Sequence, residues 1–560
     1  MLLETLGTAR DIGRLNELAS VLIRYGFGDV LRRLGLANIF KGAGKALHWK
    51  HASDITSLES PVRFCHALTE MGPTFIKLGQ ILATRSDLFP PEWIAEFEKL
   101  QNQAPPVSFE LISKQLQQDL GCSPQEAFAE FDPTPFAAAS IAQVHRARLQ
   151  DGTEVIIKVR RPGIRPIMEA DLRLLARIAE LMESESTALR RFRPREVVRQ
   201  FTHSLRRELD LLAECRNAER IAKNFNGDPN IVIPKVYWSW CSERVNVQQF
   251  IDGISGRNIA AVEKAGLNRK LLAQYGGQAA LKMILIDGFY HADPHQGNVF
   301  YLPENRIAFI DFGMVGRLSV ERRHQVVQLL YSMVAVDAPR VVDVLLGWAG
   351  DPPLNCENLT FEVEGFIDKY HGVSLKNFHL SMMLTELVSL LREYGLSLPP
   401  DIIILIKALI ALEGVALQLD PDFNMVSEAK PLLHQLMLER NAPDALAKRG
   451  WQAIVETTEL ISGLPQDLQQ LLRSARSGRL QLHVDITRLK AFGNQLDRAA
   501  SRVAVGNVVA AMIIGSSIVM TVDGGPTLFG LPLFGILGFM GAVVGGIWLL
   551  FSIWSSGRWR

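Results

Sequence analysis

The sequence predicts an α+β fold of two lobes, preceded by a helical extension and closed by a helical hairpin that crosses a membrane. Three observations carry this expectation. A strand pattern with a lysine near its end, Gly152 to Lys158, stands well upstream of a polar loop, His291 to Asn298. Two further strand patterns, Val299 to Tyr301 and Ile307 to Ile310, flank a turn and run into Asp311-Phe312-Gly313. Two long uncharged runs end the chain.

The polar loop and the triplet after it define the chemistry. An Asp at 293, an Asn five residues on and an Asp-Phe-Gly thirteen beyond follow the active-site order of a protein-kinase-like phosphotransferase. In that order Asp293 orients the attacking group, and Asn298 and Asp311 bind Mg²⁺. Hard oxygen donors suit Mg²⁺, which binds through a few protein groups and the phosphates of ATP. Asp311 follows directly on a buried strand, where a carboxylate needs a cation or a donor. His291 and His295 read as hydrogen-bonded loop residues. A zinc site is the other reading, but no Cys pair and no third His stands at ligand spacing.

Such a fold also needs a lysine for the α/β phosphates, and Lys158 closes the strand at the expected place. Its acidic partner is expected from the helical stretch Phe201 to Lys223, which carries Glu208, Asp210 and Glu214. Helix spacing puts Asp210 and Glu214 on one face and turns Glu208 well away from Asp210, which leaves the choice open. Residues 164 to 190 insert an extra helix before it. Gln249, within the segment Gln248 to Ile251, lies where the inter-lobe hinge cradles adenine.

Two features depart from ordinary protein kinases. Where a glycine-rich phosphate loop is expected, the chain has Ala137-Ala138-Ala139-Ser140. Left-handed backbone at Ala costs roughly 1–2 kcal/mol, so this loop should take another shape and handle nucleotide differently. After Asp311-Phe-Gly, the chain turns almost at once into a helical run, His324 to Val336, without an Ala-Pro-Glu anchor. The platform that docks protein substrates is absent from the sequence.

These residues resemble the UbiB family of atypical kinase-like proteins, the bacterial relatives of the mitochondrial ADCK proteins, which is associated with ubiquinone biosynthesis. The likeness runs over about residues 60 to 320. It includes Lys77-Leu-Gly-Gln80, within Gly72 to Asp87. The resemblance implies that this helix folds over the active site and blocks the place of a peptide, giving Lys77 and Gln80 a regulatory role. It implies that Ala137 to Ser140 is the family's alanine-rich loop. It also implies that Glu208 pairs with Lys158 while Glu214 meets Lys77. By residue pattern alone, Lys77 is an exposed charge on an amphipathic helix.

Composition bounds the rest. The 560 residues are 48% hydrophobic with a formal net charge of +1, enough for a substantial core and without the charge that attracts nucleic acid. The five cysteines are scattered without a Cys-x-x-Cys, as in a reduced cytosol. Charges interrupt the N-terminus before any signal-peptide core forms, and Leu15 to Leu36 reads as an amphipathic helix. At the other end, Val503 to Val522 and Leu528 to Ile553 carry no charge. A helix of about twenty residues crosses the hydrocarbon layer. Basic residues from Arg473 to Arg502 precede the first run, and Arg558 and Arg560 follow the second. Both ends are therefore expected in the cytoplasm, with the hairpin tip outside. Gly541-x-x-x-Gly545 is expected to pack the two spans together, with support of a dimer as the alternative.

The expected organisation is a helical extension over residues 1–120 and a kinase-like domain over 121–455. An amphipathic segment over 456–502 leads to two transmembrane helices within 503–553. The expected activity is that of a membrane-anchored atypical kinase or ATPase using ATP and Mg²⁺. Its expected partners, implied by the resemblance, are membrane lipid, polyprenyl quinone precursors and other ubiquinone-biosynthesis proteins. Two alternatives remain open. One is a small-molecule kinase of the aminoglycoside type, whose loop shares the His-x-Asp pattern. The other is a scaffold switched by nucleotide.

Overall fold

The computed structural model describes residues 9–28, 59–85, 88–100, 105–185, 193–349, 356–370, 379–396 and 398–441. Toward the C-terminus it describes residues 504, 506–519, 527–528, 531–532 and 536–546. The chain forms two compact units, Met1–Ala442 and Pro443–Arg560. The segment 456–502, expected to be amphipathic, lies outside the described residues.

The first unit opens with helices α1 (Ala9–Arg24), α2 (Ser60–Met71), α3 (Pro73–Leu82) and α4 (Pro91–Glu98). The helix expected over Leu15 to Leu36 starts earlier and stops at Arg24, because Gly26 takes φ +84° in the turn that follows. Residues 29–36 lie outside the described set. Pro73 and Pro91 each sit at the first turn of their helix, where a missing N–H costs nothing.

The N-lobe sheet runs β1 (Glu130–Phe131), β3 (Ala142–Arg148), β4 (Glu154–Arg160) and β6 (Val245–Gln249), with β2 (Ala137–Ala138) also paired to β3. Alternation along these strands turns Val155, Ile157, Val159, Val245 and Val247 into a core shared with helix α5 (Phe109–Leu120). The opposite face carries Lys158, with Asn246 directly across from it in the antiparallel register.

The inserted helix α6 (Ile164–Glu185) is present and joins α1 to α4 in one apolar cluster. Its Asp171 is almost fully buried. It accepts from Arg14 Nε at 2.7 Å and from Thr74 Oγ1 at 2.6 Å, fastening α1 and α3 to α6. The expected continuous helix from Phe201 to Lys223 is instead two: α7 (Pro194–Glu208) and α8 (Leu211–Asn224). Asp210 takes extended backbone (φ −101°, ψ 95°) and caps α8 by accepting from Leu212 N at 3.1 Å. An Asp able to satisfy a helix start has made one here.

The C-lobe holds β5 (Ile231–Val232), β7 (Ile254–Ser255), β9 (Val299–Leu302) and β10 (Arg306–Phe309) in one sheet, and a separate ribbon of β8 (Phe289–His291) and β11 (Val315–Arg317). Gly316 faces Tyr290 in that ribbon, and a Cβ on it would drive into the tyrosine ring. Around them pack α9 (Arg269–Leu281), α10 (Val320–Val334), α11 (Ala338–Ala349), α12 (Cys356–Tyr370), α13 (Leu380–Glu393), α14 (Pro400–Leu419) and α15 (Met425–Asn441). α10 begins three residues after β11, so no long activation segment intervenes.

In the second unit the helices Gly506–Val519 and Ile536–Gly546 are apolar but short, and β12 (Thr527–Leu528) pairs with β13 (Leu531–Pro532) between them. Cβ atoms on Gly538 and Gly541 would collide with Ser516 and Met512, and one on Gly545 would press on Val509. The glycine-rich face of one helix thus lies against the other, as expected for Gly541 and Gly545. Among the described residues only α14 is long and apolar enough to cross a membrane, and 61% of its apolar window is buried inside the protein.

Candidate nucleotide site

Lys158 near the end of β4 and Asp311 after β10 come together across the two lobes. Lys158 Nζ lies 3.2 Å from Asp311 Oδ1 and 2.9 Å from Glu214 Oε2. Burial disfavours the ammonium, but the two carboxylates outweigh it and hold Lys158 protonated, well above the ordinary lysine range. Burial also pushes Asp311 upward. Lys158 and the Gly313 N–H, 3.2 Å from Asp311 Oδ1, reverse that and keep the carboxylate ionised. Glu214 is the more deeply buried acid. Desolvation raises it to about 7 against the pull of Lys158.

Asp311 takes φ +60°, in the left-handed region that non-glycine residues seldom occupy. The strand before it explains how the loop from His291 to Asn298 is placed. Ile310 N donates to Asn298 O at 3.0 Å, and Ile310 O accepts from His291 Nε2 at 3.0 Å. Both ends of the loop are therefore pinned beside Asp311. His291 Nδ1 accepts from Asp293 N at 3.2 Å, so the buried ring is neutral with its proton on Nε2. His295 Nδ1 accepts from Gly297 N at 3.0 Å. Both histidines serve the loop's shape, and the described residues contain no cluster of His, Cys, Asp and Glu suited to a metal.

Asn298 Nδ2 donates to Asp293 O at 3.1 Å, which ties its side chain to the backbone of the loop. One amide oxygen and one half-exposed carboxylate fit a cation that takes its remaining ligands from phosphates and water. Asn298 and Asp311 would hold Mg²⁺, which would neutralise the charge on transferring phosphates.

Sequence comparison identifies the family. The ABC1 atypical kinase-like domain matches residues 99–345, the UbiB helical domain 363–424 and the ABC1/UbiB kinase-like C-terminal domain 487–555. A "Probable protein kinase UbiB" of Aeromonas hydrophila is 33% identical over 85% of this chain and 88% of its own. The chain belongs to the ABC1/UbiB kinase-like family. A second relative of that name, from Pseudomonas fluorescens, is 34% identical over 78% of this chain and 83% of its own. A Clostridium pasteurianum protein named "Uncharacterized protein in hydrogenase 1 5'region" is 31% identical over 98% and 99%. The solved Rv3197–erythromycin complex from Mycobacterium tuberculosis aligns at 21% identity with a TM-score of 0.45, covering 63% of this chain and 90% of that one.

The Lys77-Leu-Gly-Gln80 element stands on α3, with Lys77 buried rather than exposed. Its carboxylate partner corrects the expectation: Lys77 pairs with Glu208, and Lys158 pairs with Glu214. The break at Asp210 is the reason. Glu208 ends α7, which packs beside α3, whereas Glu214 lies in the first turn of α8 facing the sheet. Gln80 Nε2 donates to Leu100 O at 2.9 Å, holding α3 to the end of α4. Gly79 lies so close to Leu100 and Leu68 that a Cβ would not fit.

The alanine-rich loop of this ABC1/UbiB chain is a tight β-hairpin turn. Ala137 and Ala138 pair with Val144 and Gln143, and Ala139 N donates to Ala142 O at 2.8 Å. None of residues 137–140 has positive φ, as the cost of left-handed alanine requires. Arg161, which the sequence did not single out, clamps the turn: its Nε donates to Ala139 O and its backbone N to Ile141 O, both at 2.8 Å. Gln249 ends β6 exposed, while Gln248 beside it is buried, with its Nε2 lacking a hydrogen-bond partner. Lys407 on α14 was also missed; its Nζ lies 3.7 Å from Asp293 Oδ1. Nothing in a long apolar helix signals that one lysine reaches the loop carrying Asp293.

Proposed function

We propose that this protein is a membrane-anchored atypical kinase or ATPase that supports ubiquinone biosynthesis, using Mg-ATP to act on or mobilise lipid precursors. The observation that carries the reading is the meeting of Lys158 and Asp311 across the lobes, with Asn298 pinned beside them. Lys158 would pair the α/β phosphates, with Glu214 holding its ammonium. Ala137 to Ser140 would cover the phosphates, and the hinge strand end at Gln249 would border the adenine. Asp293 would accept a hydrogen bond from water or a substrate hydroxyl. The attacking oxygen bonds to the γ-phosphorus as the β–γ bridging bond breaks; ADP keeps the electron pair, and the attacking group's proton passes to Asp293.

A protein substrate fits poorly. The triplet leads into α10 without a docking segment, and Lys77 with Glu208 holds α3 in the same compact unit as the catalytic loop. The anchor would be the C-terminal hairpin, supported by the two apolar helices packed through Gly538, Gly541 and Gly545. The basic residues flanking the hairpin favour a cytoplasmic catalytic unit. The relatives' name, UbiB, supports the ubiquinone assignment.

The test is ATP turnover by the full-length protein in liposomes carrying a polyprenylated phenol, with and without Mg²⁺. Mg²⁺-dependent hydrolysis should rise with the phenol, and transfer of the phenol to acceptor vesicles should require ATP. Turnover indifferent to Mg²⁺ would end the nucleotide reading. Transfer indifferent to ATP would end the lipid reading.

A further inference from the structure

α14 is an apolar helix, of mean hydropathy 2.2 in its most apolar window, with three charged residues, Asp401, Lys407 and Glu413. A charge in such a helix is costly unless it has a partner, so the partners reveal what the charges are for. Glu413 is almost fully buried and accepts from Leu380 N at 2.8 Å and Ser381 N at 2.6 Å, capping the start of α13. Asp401 binds Arg322 at 2.9 Å, and its carbonyl accepts from Tyr290 OH at 3.3 Å. Those two contacts dock α14 on α10 through Arg322 and on β8, the strand that leads into the catalytic loop, through Tyr290. Lys407 has one carboxylate partner among the described residues, Asp293.

We propose that Lys407 is a positioning residue of the phosphotransfer centre, so that the helical domain completes a site that the two lobes alone leave unfinished. The inference rests on the reading of Asp293 given above. The Asp293 carboxylate is bracketed: Lys407 Nζ stands 3.7 Å from Oδ1 and His295 Nε2 4.0 Å from Oδ2. His295 Nδ1 accepts from Gly297 N, so its Nε2 carries the proton that faces the carboxylate. Neither donor is within hydrogen-bond distance. The lysine therefore supplies charge that keeps the carboxylate aimed without occupying the lone pairs that must receive the attacking O–H. Asp293 remains one-third exposed, open to that group. A closer lysine would quench the acceptor; a missing one would leave the carboxylate free to swing.

The experiment compares Mg-ATP turnover and nucleotide binding in the full-length protein and its Lys407→Met, Lys407→Arg and Asp293→Asn variants. Methionine keeps the packing on α14, because Tyr290, Arg322 and the core hold that helix independently. The expected result is a loss in kcat of about tenfold to a hundredfold for Lys407→Met. KM, nucleotide Kd and melting temperature should stay close to wild type, and Lys407→Arg should recover most of the rate. A Lys407→Met rate within twofold of wild type, with Asp293→Asn inactive, overturns the role of Lys407 alone. Equal losses in rate, nucleotide binding and melting temperature also overturn it, by showing a structural residue. An Asp293→Asn protein that turns over normally, or a wild type without turnover, overturns the reading of the catalytic loop beneath it.

Discussion

Lys158 Nζ lies 2.9 Å from Glu214 Oε2, joining the central N-lobe strand to the first turn of α8. Glu208, at the end of the preceding helix, is taken up by Lys77. Two ion pairs thus run side by side, one beside the triplet and one beneath the Lys77 helix. Double-mutant cycles should find coupling of about 0.5–3 kcal/mol for Lys158 with Glu214 and for Lys77 with Glu208. Coupling for Lys77 with Glu214 should be much smaller. Chemical denaturation of the four single and three double alanine variants measures this, and strong coupling in the crossed pair would restore the exchanged assignment.

Glu214 gives stability a pH dependence with a defined sign. Its carboxyl is raised from 4.5 to about 7, so the folded state binds the proton more tightly than the unfolded chain. That contribution is fully present below about 4.5 and is lost as pH rises to about 7. Asp311 acts oppositely and elsewhere: its depressed value adds stability above 3.8 that disappears on further acidification. Melting temperatures recorded from pH 4.5 to 8 should therefore fall more steeply for wild type than for Glu214→Gln. Parallel curves would show that Glu214 ionises as an ordinary carboxylate.

Arg161 gives the alanine-rich turn its rigidity. Arg161→Ala removes a charge-assisted bond to Ala139 O, worth about 1.5–3 kcal/mol when its acceptor is buried and less where water replaces it. Amide exchange across residues 137–141 should accelerate, and nucleotide affinity should shift. Unchanged exchange would mean that pairing with β3 alone fixes the turn.

Much of the candidate site was legible because its spacing is chemical. Asp293, Asn298 and Asp311 stand in the order expected for Mg-ATP handling, Lys158 follows from strand length and position, and the fold brings Lys158 to Asp311. The strands around them obey alternation and turn signals. The Glu208 and Glu214 partners were not legible, because they depend on whether the helix runs through residue 210. An Asp there is compatible with a helix interior, and its capping role becomes visible only once the chain has bent. Lys407 and Arg161 were hidden for another reason. Each acts across more than twenty residues of sequence, on a backbone carbonyl or a loop carboxylate, and leaves no local pattern.

The packed glycines in the second unit predict position-specific effects. Gly545→Leu should separate the two apolar helices, because the β-branched Val509 cannot retreat, whereas Gly546→Leu meets open space. Disulfide trapping in a Met512→Cys, Gly541→Cys double variant reports the separation in membranes. Trapping should fall sharply with Gly545→Leu and persist with Gly546→Leu. Equal yields would show that the helices do not pack through this face.

The central claim, one divalent cation held between Asn298 and Asp311 with nucleotide, is tested most directly by binding of Mn²⁺ in place of Mg²⁺. Electron paramagnetic resonance titration with ADP should reveal one nucleotide-dependent Mn²⁺ per chain in the full-length protein. Asp311→Asn and Asn298→Ala should each weaken it at least about tenfold while leaving the fold intact, about the energy of one lost charge-assisted contact. Undiminished, nucleotide-linked Mn²⁺ binding in both variants would contradict the account.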